Sequence, residues 1–177
     1  MNRWKRLPPA HRDDARAWLT YPGSLTRRVV ERFGAMRVEL VQQRLRAPNE
    51  DEYRALGRPA RKRALVREVL LHAHGEPLVM AHSTTSLAGL YGAWRSLRGL
   101  GTRPLAVALF ADPLVRRLDF EYARLDRRHP LHARARRLLG GELPAMWARR
   151  STFLRRGRAL VVTEVFLPAL LAGSHPR

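Results

Sequence analysis

ALVREVLLHAHGEPLVMAHST, residues 64–84, is the stretch that decides the fold. Two apolar runs, ALVREVLLHA and PLVMAHST, flank His74-Gly75-Glu76, which predicts two antiparallel strands joined by a tight turn. The same form recurs near the C-terminus, where residues 147–154 and 159–167 flank Arg155-Arg156-Gly157-Arg158. Met36, Val38 and Leu40 alternate with polar neighbours, and residues 114–122 alternate in part, so both read as further strands. Helical signals stand in front of these strands. Pro8 and Pro9 precede a helix expected to run through Leu19, with Asp13 and Asp14 suited to its first turns. After the turn Tyr21-Pro22-Gly23, Ser24 can cap a second helix through Phe33.

Residues 87–100 carry a helical pattern, with Leu87, Leu90, Tyr91 and Trp94 on its core face and Gly99 and Gly101 at its end. Gly99-Leu100-Gly101 is a helix stop rather than a phosphate loop, since no lysine–serine/threonine pair follows. Residues 104–110 are apolar and open to either strand or helix. Residues 47–63 read as a long connection, and the strongly basic residues 124–137, which include Pro130, are expected to be exposed. Helices in front with hairpins behind predict an α+β fold with a mainly antiparallel sheet, in a single domain over residues 1–177. Residues 1–8 and 171–177 are expected to be flexible ends.

Composition narrows the function classes. With 45 % hydrophobic residues the chain has the apolar content of a packed globule rather than of a disordered segment. The absence of cysteine excludes disulfides, thiolate nucleophiles and cysteine-ligated metal sites, and fits a reducing compartment. The formal charge is +19, and every basic residue other than Lys5 and Lys62 is arginine. Such a surface attracts anions by long-range steering. Base-reading modules add a helical docking motif or an aromatic stacking platform, and neither is present, so no specific nucleic acid is expected. The start of the chain lacks the apolar core of a secretory signal. The apolar stretch 159–173 is short for a membrane span and contains Glu164 and Pro168. A cytoplasmic, monomeric protein without stable membrane insertion is the expectation.

Two charged residues interrupt apolar strands. In ALVVTEVFLP, residues 159–168, alternation places Glu164 on the face of Val162 and Phe166. In ALVREVLL, residues 64–71, Arg67 shares its face with Leu65, Val69 and Leu71. A buried carboxylate must be paired, hydrogen-bonded or protonated. From these residues alone, Arg67 and Glu164 fit either a structural ion pair or the two ends of a ligand site. His72, His74 and His82 lie on the first hairpin, but no accompanying carboxylate spacing supports a metal, and none is expected.

Five segments stand in one order: WLTYPGSLTRRV (18–29), VREVLLHAHGEPLVMAHS (66–83), LGTRPLAVALF (100–110), WARRSTF (147–153) and VVTEVFLPAL (161–170). Together they resemble the chorismate pyruvate-lyase family, bacterial enzymes that make 4-hydroxybenzoate for ubiquinone. The resemblance implies an antiparallel sheet of about six strands flanked by helices. It implies cleavage of chorismate into 4-hydroxybenzoate and pyruvate without metal or organic cofactor, in an enclosed pocket beneath mobile flaps. It places the family's carboxylate-binding arginine at Arg67 and its acid near the product hydroxyl at Glu164. Ligand contacts made by main chain fall at Leu25, where relatives carry methionine, and at Leu105. The chain departs from the family where relatives often have arginine at the position of His82 and proline at that of Ser86.

Chorismate is a dianion one elimination short of aromaticity, so the enzyme of such a reaction chiefly supplies orientation and electrostatics. A guanidinium at Arg67 can bind the ring carboxylate bidentately. Glu164 would address the C4 hydroxyl. The enolpyruvyl carboxylate needs a second cation, for which Arg149, Arg150 and His82 are candidates; strand alternation lets only one of the two arginines face inward. The other readings are a non-catalytic sensor of small aromatic acids on a related fold and, on charge alone, a nucleic-acid-binding protein.

Overall fold

A computed structural model describes residues 4–9, 14–57 and 62–172. Two short helices come first, α1 (Asp14–Thr20) and α2 (Leu25–Phe33). As expected, Ser24 caps α2, its Oγ accepting the backbone N–H of Arg27. Asp13 lies outside the described residues. Strand β1 (Arg37–Arg46) leads through a single 3-10 turn at Glu50–Glu52 to the hairpin of β2 (Ala64–Ala73) and β3 (Glu76–Ser86). Its turn uses His74 and Gly75 at φ 51° and 85°, the left-handed region that a two-residue hairpin turn requires. The second hairpin joins β6 (Met146–Arg155) to β7 (Arg158–Phe166), and α6 (Pro168–Ala172) follows.

Between the hairpins the chain departs from its expected course in three places. The helix expected over residues 87–100 is broken into α3 (Leu87–Leu90), a turn, and a 3-10 segment at Arg95–Gly99. Leu90, Trp94, Leu97 and Leu100 are buried, but Tyr91, read as a core residue, is 63 % exposed. Gly89 makes a close approach here: a Cβ would lie 2.3 Å from Thr85 Oγ1. Residues 104–110 resolve as helix α4 (Leu105–Phe110), and the one strand expected over 114–122 is two, β4 (Arg116–Arg117) and β5 (Glu121–Leu125). The basic stretch 124–137 is not a solvated loop. It contains most of α5 (Pro130–Leu139), which starts with proline in its first turn, where a missing N–H costs nothing, and buries Leu131, His132 and Ala135.

All strand pairs are antiparallel, in the order β1-β2-β3-β7-β6-β4, with β5 also pairing β6. The α+β fold and mainly antiparallel sheet expected from the sequence are what the structure shows. The back face packs on α5 through Leu70, Met80, Leu125, Met146, Ala148 and Val165, and Trp4 joins that cluster. Part of the segment expected to be a loose N-terminal end is thus anchored, with Lys5 bridging Tyr122.

The front face carries two separate clusters. One holds Trp18, Leu25, Val29, Val69, Leu71 and Phe166 under α1 and α2. The other holds Leu65, Trp94, Leu109, Phe153, Leu160 and Val162 under the segment from α3 to α4. Alternation along β2 runs Leu65, Arg67, Val69, and along β7 Val162, Glu164, Phe166, so both charges fall in the gap between the clusters.

Candidate active site

The gap is a cavity. Its floor is the middle of the sheet, with Arg67, Val69, Ala81, Ser83, Arg149, Ser151, Val162 and Glu164; its cover is the start of α2 and the inner side of α4. Phe110, Phe120 and Phe153 supply aromatic wall. The cavity holds about 60 Å³. A water needs at least about 10–15 Å³, so the space takes several waters or a small organic molecule. A mixed apolar and aromatic lining with few polar groups is the usual make-up of a small-molecule site.

Arg67 stands at one end. It is 3 % exposed, and its Nη2 donates to the carbonyls of Gly101 (2.9 Å) and Arg103 (3.2 Å). Among the described residues no carboxylate lies within ion-pair distance of it, and its Nε is buried without a hydrogen-bond partner. Burial pulls its pKa below the ordinary arginine value. A guanidinium held this way is a cation without a counter-ion, a costly state that an anionic ligand relieves.

Glu164 stands at the other end and does not pair with Arg67. Arg67 faces Ser83, and Glu164 faces Ala81, two residues along β3 and one strand beyond. Two strand spacings and two residue rises separate their backbones by about 12 Å. Between side chains that reach inward, such a span leaves room for one ring. Glu164 is held by its cross-strand neighbour Arg149, whose Nε lies 2.5 Å from Oε2. The Nη1 of Arg149 also donates to Tyr21 O at 2.7 Å, so one guanidinium fixes both the acid and the junction between α1 and α2.

The remaining sequence candidates divide between the two faces. Leu25 and Leu105 line the cavity as the first residues of α2 and α4, where backbone N–H groups have no acceptor within the helix. Arg149 faces inward and Arg150 does not. Arg150 lies behind the sheet, bonded to Glu121 (2.9 Å from Nε) and Asp51 (3.2 Å from Nη1), with its Cζ 4.3 Å from the Trp4 ring centroid. His82 is also behind the sheet and 0 % exposed. Its Nδ1 lies 3.1 Å from Glu68 Oε1 and its Nε2 3.0 Å from Glu52 Oε1, close enough for the charges to pair though that N–H does not aim straight at the oxygen. Burial alone would lower the imidazole pKa, but the two carboxylates raise it to about 9.

The position of His82 comes from a bulge. Near the turn His72 faces Pro77, a register that would set Arg67 opposite His82; a shift between Leu71 and His72 sets it opposite Ser83 instead. One extra residue moves every following side chain to the other face. One charged cavity residue was not among the candidates the sequence offered: Arg117, from the two-residue strand β4. Among the described residues no group of three or more His, Asp or Glu side chains forms a metal-binding arrangement.

The model of the family described as chorismate lyase matches residues 7–173. A protein of Aromatoleum aromaticum named "Probable chorismate pyruvate-lyase" is 46 % identical over 172 residues, covering 95 % of this chain and 93 % of the relative. One of the same name from Thiobacillus denitrificans is 48 % identical over 156 residues, covering 88 % and 83 %. Among solved structures, the PhnF C-terminal domain has a TM-score of 0.58 at 17 % identity, over 74 % of this chain and 82 % of that one. The ligand-binding domain of a putative GntR-family regulator from Bordetella bronchiseptica has a TM-score of 0.52 at 21 % identity, over 75 % and 86 %. At these identities the structural likeness speaks for the fold alone. The sequence match is of a different order: this chain belongs to the chorismate lyase family.

Proposed function

We propose that the protein is a chorismate pyruvate-lyase, eliminating pyruvate from chorismate to leave 4-hydroxybenzoate, the aromatic precursor of ubiquinone, in the cytoplasm. One observation carries this reading: a buried guanidinium without a carboxylate partner, Arg67, faces across a ring-sized cavity a carboxylate, Glu164, that is already neutralised by Arg149. A neutral or cationic ligand would leave Arg67 uncompensated. A ring with a carboxylate at one end and a hydroxyl at the other satisfies both ends.

In the reaction the ring loses the hydrogen at C4, the C3–O bond to the enolpyruvyl group breaks, and the departing methylene gains a proton to become the methyl of pyruvate. The C4 oxygen stays as the phenol. Arg67 binds the ring carboxylate and fixes the ring's long axis. Glu164 accepts a hydrogen bond from the C4 hydroxyl and sets the adjacent C–H and C–O bonds in eliminating geometry. The backbones of Leu25 and Leu105 hold the ligand from the cover. Because aromatisation supplies the driving force, orientation within a dry cavity accounts for the acceleration. Arg149 keeps Glu164 in one rotamer and carries no substrate itself.

Calorimetric titration with 4-hydroxybenzoate tests the assignment of Arg67. Charge-assisted hydrogen bonds contribute about 1.5–3 kcal/mol, so Arg67→Ala should weaken the Kd by about 10- to 150-fold while circular dichroism stays native. An unchanged Kd in a folded variant contradicts the reading. Tight binding of 4-hydroxybenzoate by a wild-type protein that leaves chorismate intact would favour the sensor instead.

A further inference from the structure

Chorismate brings two carboxylates, and Arg67 answers one. The second belongs to the enolpyruvyl ether, on the ring carbon next to the one bearing the hydroxyl. With the ring carboxylate at Arg67 and the hydroxyl at Glu164, the second carboxylate is carried to the Glu164 end. The cation there should lie in the cavity wall, and its charge should be unspent.

The three candidates drawn from the sequence fail that description. Arg150 and His82 lie behind the sheet in ion pairs of their own. Arg149 faces inward, but its charge is committed to Glu164 and its Nη1 to the Tyr21 carbonyl. Arg117 meets it. It lines the same cavity, and no carboxylate among the described residues lies within ion-pair distance of it. Its guanidinium lies over Phe120, with Cζ 4.5 Å from the ring centroid, and 5.7 Å from that of Phe110. Nη2 donates to the Pro22 carbonyl, which leaves Nη1 and Nε for a ligand. Arg117 and Arg149 share the Phe120 ring, with their Cζ atoms 4.5 and 4.6 Å from its centroid, and Arg149 holds Glu164, which places Arg117 at the acid's end of the cavity.

We propose that Arg117 binds the enolpyruvyl carboxylate and so selects the dianionic substrate over the monoanionic aromatic product. The inference rests on the lyase reading. Once the C3–O bond breaks, the carboxylate on Arg117 leaves with pyruvate, and 4-hydroxybenzoate keeps only its contacts with Arg67, Glu164 and the cover. Arg117 therefore separates affinity for substrate from affinity for product, a separation that Arg67 cannot make.

The test compares steady-state kinetics on chorismate with inhibition by 4-hydroxybenzoate in wild type, Arg117→Gln and Arg117→Met. Glutamine keeps a donor for Pro22, and methionine keeps an unbranched side chain without charge. Both should lower kcat/KM for chorismate by at least about tenfold. The inhibition constant of 4-hydroxybenzoate should stay within about twofold. Arg67→Ala should damage both. Equal damage to substrate and product constants in the Arg117 variants marks a structural residue and overturns the proposal, as does wild-type kcat/KM in either one. A wild-type protein that makes neither 4-hydroxybenzoate nor pyruvate fails one step earlier, at the lyase reading itself.

Discussion

Replacing His82 by glutamine should unmask a pH-dependent part of the protein's stability while leaving the cavity intact. His82 is fully buried between Glu52, on the 3-10 turn after β1, and Glu68, on β2. Burial opposes its charge, yet the two carboxylates raise its pKa from 6.5 to about 9. The folded state therefore holds this proton more tightly than the unfolded chain does. The resulting stabilisation is fully present below pH 6.5, still large at pH 7, and lost as pH rises through about 9. The gap from 6.5 to about 9 corresponds to about 3 kcal/mol, of which roughly 2.5 kcal/mol is in place at pH 7. Glu68, with its pKa lowered to about 2, reports the same interaction from the other side, and the two contributions are not summed.

Urea unfolding of wild type and His82→Gln at pH 7 and pH 10 isolates the effect, because groups common to both proteins cancel. The wild-type advantage should shrink by about 2–3 kcal/mol between the two conditions, or roughly 5–10 °C in Tm for a chain of this length. Affinity for 4-hydroxybenzoate at pH 7 should be unchanged, since His82 points away from the ligand. A wild-type advantage that stays constant with pH would mean the imidazole is not charged in the folded protein. A large loss of product affinity would return His82 to the site.

Two further variants separate the faces of the sheet. Glu164→Gln preserves shape and a hydrogen bond but removes the charge, so turnover of chorismate should fall by at least about a hundredfold while the Kd for 4-hydroxybenzoate changes less than tenfold. Arg150→Ala strips a buried cation from Glu121 and Asp51 and should cost about 3–5 kcal/mol in unfolding free energy, with kcat/KM of the folded fraction near wild type.

What was legible in the sequence follows from how local its cause is. Both hairpins could be placed because apolar alternation and a tight turn are encoded within some twenty adjacent residues. The α2 cap was legible for the same reason, in Ser24 three residues before Arg27. Helix α5 was overlooked although its signal was present: Pro130 suits a first turn, and Leu131, Ala135, Leu138 and Leu139 form an apolar stripe behind the arginines. The two ends of the cavity, Arg67 and Glu164, stood out because a charge on an apolar face is costly wherever it lies.

The second carboxylate's partner was not legible. His82 faces backward because of a bulge between Leu71 and His72, and no residue type there announces it. Arg149 faces inward, where at most one of the Arg149–Arg150 pair could, yet its pairing with Glu164 depends on the register of β6 against β7. Arg117 reaches the cavity from a strand of two residues whose place beside β6 is set entirely by tertiary structure.

The most direct test of the account is incubation of the purified wild-type protein with chorismate, with both products resolved and counted. The account predicts 4-hydroxybenzoate and pyruvate appearing one for one, at a rate that falls together in Arg67→Ala and Glu164→Gln. Chorismate recovered unchanged beside a folded protein, or pyruvate released without 4-hydroxybenzoate, would contradict it.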